Sequence, residues 1–82
     1  MTNTGELRLY IEKAMPGAAV TVRDMTGGGD HFEIEVVSTA FEGLTLLERH
    51  RKMHDVMSGP MEGAVHAVKF KTLTPAQKNQ AR

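Results

Sequence analysis

Two short runs of alternating apolar and polar residues, separated by three consecutive glycines, constrain this chain more than any other feature. In Ala19 to Met25, Val20 and Val22 alternate with Thr21 and Arg23; in Phe32 to Ser38, Phe32, Ile34 and Val36 alternate with Glu33 and Glu35. A period of two places each set on one face of a strand. Thr26-Gly27-Gly28-Gly29-Asp30 reads as a loop, because glycine loses the most backbone freedom on ordering. The connection is short, so an antiparallel hairpin is expected. A two-stranded hairpin is only marginally stable in water, and the rest of the chain must cover its apolar face.

The cover is helical. Thr4 to Met15 carries Leu7, Tyr10, Ile11 and Ala14 on one face, with Asn3 or Thr4 as cap and Glu6 in the first turn. Pro16-Gly17 ends it. After a turn at Phe41-Glu42-Gly43, Leu44 to Met57 is expected as the main helix. Leu46, His50, Met53 and Met57 form its apolar side, and Glu48 with Lys52 forms an i,i+4 pair on the other. Ser58-Gly59-Pro60 breaks that helix, and Met61 to Ala64 suits a short additional one. Val65 to Leu73 alternates again, with Val68 and Phe70 inward and Lys69 and Lys71 outward. Order is expected over about residues 4–75 of a single domain, with 76–82 as a polar tail. The element order α-β-β-α-(α)-β predicts an α+β fold of the type II KH-like kind. It has a three-stranded mixed sheet covered by helices on one face.

Composition narrows the function. The 82 residues contain four histidines and no cysteine, so disulfides, Cys-based zinc sites and a self-contained iron–sulfur cluster are excluded. No apolar run approaches the length of a membrane span, and Met1 to Gly5 lacks signal-peptide character; a cytoplasmic protein is the plain expectation. Paired catalytic acids, a Ser/His/Asp order and a nucleophilic cysteine are all unrecognisable, so an enzyme is not expected. Net charge is zero, yet residues 1–42 hold three Lys/Arg against seven Asp/Glu and residues 43–82 the reverse. Arg49, Arg51 and Lys52 on the main helix, with Lys69 and Lys71 on the last strand, form the candidate surface for nucleic acid or a partner. A solvated helix face is the plainer reading of the same residues.

Several residues together resemble the BolA family. Phe41, Gly43, Arg49, His50 and Arg51 stand in an F-x-G-x-x-x-x-x-RHR register, His66-Ala67 opens the last strand, and Lys71 to Pro75 reads KTLTP. The resemblance covers about Val20 to Pro75 and implies a KH-like fold. It further implies binding to a monothiol glutaredoxin and a glutathione-supported [2Fe–2S] cluster shared with it, with no cofactor when the chain is alone. Some members are transcriptional regulators that contact DNA, which is the alternative partner. In the cluster role the resemblance assigns His66 as one ligand and, in the subgroup with histidine in the hairpin loop, His31 as the other. The free chain is expected as a monomer or weak homodimer.

Chemistry is compatible with that assignment, since imidazole can replace two thiolates on one iron. Ligation needs neutral rings, so cluster binding should weaken in acid. Read without the resemblance, His66 is a hydrogen-bonded histidine at a strand start and His31 an exposed loop residue. His50 reads as a core histidine. His50 and His54 have zinc-compatible i,i+4 spacing, but Arg51 stands where a zincin needs glutamate. The three glycines lack a phosphate-loop pattern and read as an adaptable arm carrying His31. Gly59 to Gly63 is longer than a KH G-x-x-G loop and contains Glu62, which weakens KH-style RNA recognition.

Overall fold

The computed structural model describes residues 4–25, 27, 31–58 and 67–80. The order of elements is α1 (Thr4–Ala14), β1 (Ala19–Asp24), β2 (His31–Val37), a 3-10 turn (Thr39–Phe41), α2 (Leu46–Met57), β3 (Ala67–Leu73) and α3 (Pro75–Gln80). The expected extra helix at Met61 to Ala64 and the Gly59 to Gly63 segment lie outside the described residues.

β2 is the central strand, antiparallel to β1 and parallel to β3. The register sets residues of equal parity side by side: Val22 faces Ile34, which faces Phe70, while Arg23 faces Glu33, which faces Lys69. One face of the sheet is therefore largely apolar, with Thr72 of β3 and Asp24 at the end of β1 as polar members of it. Val20, Phe32, Ile34 and Val36 are buried there beneath α1 and α2, with Val68 and Phe70 packed against them. Leu7 and Ile11 from α1, Phe41 from the turn and Met53 from α2 complete the core, all at 0% exposure. The mixed α+β architecture expected from the alternation is the one observed.

Local chemistry sets the element ends. Gly17 and Gly43 adopt φ of 87° and 80°, the left-handed region that side-chain-bearing residues avoid. α2 begins at Leu46 rather than Leu44, because Thr45 caps it. Thr45 Oγ1 accepts from the Glu48 N–H at 3.2 Å while Glu48 Oε1 accepts from the Thr45 N–H at 2.8 Å. Glu48 is thus held at the cap and makes no ion pair with Lys52.

The expected apolar side of α2 is corrected. Leu46 is 64% exposed and His50 only half-buried, while Arg49 and Met53 are the buried pair, flanked by Val56 and Met57. The expected polar tail is corrected as well. Residues 75–80 form α3, started by a second reciprocal cap in which Thr74 Oγ1 accepts from Gln77 N–H at 3.2 Å and Gln77 Oε1 accepts from Thr74 N–H at 2.9 Å. Pro75 suits the first helical position, where its missing N–H costs nothing. None of the helices found is long and apolar enough to cross a membrane.

Candidate functional site

His31 is the first residue of β2 and is exposed. The glycine arm leads into it: Asp24 Oδ1 accepts from the Gly27 N–H at 2.9 Å, and the His31 carbonyl accepts from Met25 N–H at 2.8 Å. Gly27 has a φ of 76°, a conformation that glycine supplies at no steric cost. Across the parallel ladder His31 is the direct partner of Ala67, the first described residue of β3. Ala67 is bonded to His66, which itself lies outside the described residues. Parallel β2 and β3 thus start at one end of the sheet, and His31 marks that end. Among the described residues, no three of His, Asp and Glu converge as a metal site.

The basic residues do not form one surface. Arg49, expected as part of an exposed patch, is buried at 9% exposure. Its Nε donates to the Leu44 carbonyl at 3.1 Å; its Nη1 donates to the Thr72 carbonyl at 3.2 Å and to Gln77 Oε1 at 2.8 Å. Its guanidinium carbon also sits 5.9 Å from the centroid of the Phe41 ring. A planar fork with several donors meets these divergent acceptors, which an ammonium could not do in the same way. Arg51 and Lys52 are exposed on α2, whereas Lys69 and Lys71 are exposed on the face of the sheet opposite α1 and α2. His54 is exposed beside Arg51 and Lys52 on α2.

That face is a lattice of charge. Glu33 pairs with Arg23 of β1 at 3.4 Å, and Glu35 pairs with Lys78 of α3 at 2.7 Å. Lys69 and Lys71 stand opposite those same glutamates in the ladder.

Two features were missed in the sequence. Thr74-Pro75-Ala76-Gln77 is a capping signature of the same form as Thr45 to Glu48, and it was available to be read. Arg49 had no comparable local signal, since its acceptors lie 5, 23 and 28 residues away.

A family model described as BolA-like protein matches residues 7–77. The chain is 36% identical over 78 residues to "BolA-like protein 1" of Mus musculus, an alignment covering 87% of this chain and 57% of that protein. It therefore spans little more than half the length of that relative. Among solved structures, a bolA protein homologue from Coxiella burnetii superposes with a TM-score of 0.83 at 31% identity, covering 96% of this chain and 99% of that one. The BolA domain of SufE1 from Arabidopsis thaliana gives 0.79 at 28% identity, covering 94% and 98%.

Proposed function

The chain belongs to the BolA-like family, and from that premise we propose that it is a non-enzymatic adaptor for a monothiol glutaredoxin. Its cargo is a glutathione-supported [2Fe–2S] cluster shared between the two proteins, for cluster delivery or iron sensing in the cytoplasm. The observation that supports this reading most is the parallel register His31 to Ala67. It brings an exposed imidazole to the sheet end beside Ala67, the residue that follows His66 in the chain. With no cysteine in the chain, its contribution is limited to imidazole, and two thiolates must come from the glutaredoxin and glutathione. His31 and His66 would hold the cluster on this side; the thiolates would hold it on the other.

The test is reconstitution of the chain with a monothiol glutaredoxin, glutathione, iron and sulfide, followed by visible absorption and circular dichroism. The heterodimer spectrum should differ from that of the glutaredoxin homodimer. It should be lost or shifted in His31→Ala and His66→Ala. A spectrum indifferent to both substitutions would falsify the ligand assignment.

A second reading, DNA contact in transcriptional regulation, is favoured only by the exposure of Arg51 and Lys52 on α2. The burial of Arg49 removes one of its three expected contacts on α2. Binding that does not fall with salt, or that survives Arg51→Ala with Lys52→Ala, would eliminate it.

A further inference from the structure

β1 is an outer strand of the sheet, paired only with β2. The Met25 N–H donates to the His31 carbonyl, one step beyond the pairing of Asp24 with Phe32. Hydrogen-bonded pairs alternate along an antiparallel ladder, so Arg23, Thr21 and Ala19 also turn their main-chain groups toward β2. The N–H and C=O of Val20 and Val22 therefore point away from the sheet, and among the described residues nothing hydrogen-bonds to them. A groove of about 400 Å³ lies there, lined by Thr4, Gly5 and Arg8 of α1 and by Val20, Thr21 and Val22. Three successive strand residues line it although their side chains alternate between faces, so the groove follows the edge of β1. The other outer strand is engaged at its end, where the Thr72 carbonyl accepts from Arg49 and α3 follows. Arg8 is the charged member of the groove lining. Its side chain is 55% exposed and lies 3.9 Å from Glu12; Arg23, on the other face of β1, is 66% exposed and 3.4 Å from Glu33. Exposed pairs at such distances contribute little, so either guanidinium can turn to a carboxylate brought to the edge.

We infer that the outer edge of β1 and its groove form a docking site for an extended acidic segment of another protein, added to the sheet beside β1. Main-chain hydrogen bonds to Val20 and Val22 supply the attachment, as in other cases of strand addition. Adjacent side chains of a strand point to opposite faces, so two consecutive carboxylates reach Arg8 on the helix side and Arg23 on the other. Flanking β-branched residues continue the row begun by Val20 and Val22. The same residues disfavour other occupants. A second copy of β1 carries Asp24 as its one acid, and that carboxylate already accepts from the Gly27 N–H. Single-stranded nucleic acid has phosphates for the arginines but finds no Phe, Tyr or Trp in the groove lining on which to stack. The inference is independent of the cluster proposal, since neither ligand histidine lines the groove.

The test titrates the full chain with a short fluorescein-labelled peptide in which a central Glu-Glu is flanked by Val and Thr, while amide exchange in β1 is followed by NMR. Saturable binding is expected, weakened about tenfold by Arg8→Glu and about threefold by Arg23→Ala. The amides of Val20 and Val22 should gain protection in the complex. Methylating every second peptide nitrogen isolates the main-chain contribution. The set that faces β1 should abolish binding, and the alternate set should leave it unchanged. Circular dichroism establishes that the variants remain folded. Each of these results overturns the inference: no binding by the wild type, undiminished binding by Arg8→Glu, equal effects of the two methylated sets, or a saturated complex with unprotected Val20 and Val22 amides. So does displacement of the peptide by oligo(dT) at lower concentration than by unlabelled peptide, or a dimer of the chain in sedimentation that the peptide fails to dissociate.

Discussion

Gln77 of α3 accepts a 2.8 Å hydrogen bond from the buried guanidinium of Arg49 on α2, although 28 residues separate them. The same amide oxygen accepts from the Thr74 N–H at 2.9 Å, so one side chain both starts α3 and anchors it to the main helix. Through the Thr72 carbonyl, Arg49 also grips the end of β3. The RHR segment thus contributes to the fold through its first arginine and to the surface through its last.

Arg49→Ala should destabilise the fold by about 2–4 kcal/mol, because the carbonyls of Leu44 and Thr72 lose a charged donor. Arg49→Lys should recover less than half of that, lacking the fork. Urea unfolding measures both. An unchanged midpoint in Arg49→Ala would mean that the buried fork contributes nothing net. By contrast Arg51→Ala, at an exposed position, should stay within about 0.5 kcal/mol of wild type.

Gln77→Ala should cost about 1–2 kcal/mol and release α3, which buries no residue of its own. Backbone chemical shifts of residues 75–80 should move to coil values. Gln77→Glu keeps the acceptor and places a carboxylate against Arg49, so helical shifts should persist. If α3 remains helical in Gln77→Ala, the double acceptor is not what holds it.

Thr45→Ala removes one half of the α2 cap and should lower stability by about 1 kcal/mol, with Thr45→Ser close to neutral. Equal stability for the alanine and serine variants would show that the hydroxyl is dispensable.

At Gly43 a Cβ would meet nothing within 4 Å, so any penalty is conformational rather than steric. Gly43→Ala should cost about 1–2 kcal/mol at its φ of 80°, and Gly43→Asn less, because asparagine visits that region more readily. An asparagine variant less stable than the alanine one would contradict this account.

His31→Ala should change stability by less than about 0.5 kcal/mol, since the side chain is exposed at a strand start. Thermal melts of the free chain check this. A large loss would mean that any change in the cluster spectrum of this variant reports folding rather than ligation.

The strands were legible because their signal is local. Alternation in Val20 to Val22 and Phe32 to Val36 states which side chains share a face, and burial follows that parity. α1 was legible for the same reason, its Leu7 and Ile11 lying one turn apart. α2 was harder. Its apolar residues do not outline a single stripe, and Leu46 and Leu47 are both largely exposed in the first turn while an arginine is buried. Periodicity assigns burial by hydropathy, and hydropathy places Arg49 outside.

The candidate site divides in the same way. From sequence alone came the two strands, their loop, the four histidines without a thiol, and the family resemblance that singles out His31 and His66. Both capping boxes were also written there, at Thr45 to Glu48 and at Thr74 to Gln77, as interactions spanning three residues. Only the tertiary structure decided that His31 pairs with Ala67, that Lys69 and Lys71 lie on the face opposite α2, and that Arg49 is interior. These depend on which segments meet in space. A guanidinium can be buried only where remote carbonyl and amide oxygens converge to replace its water, and no spacing along the chain encodes that convergence.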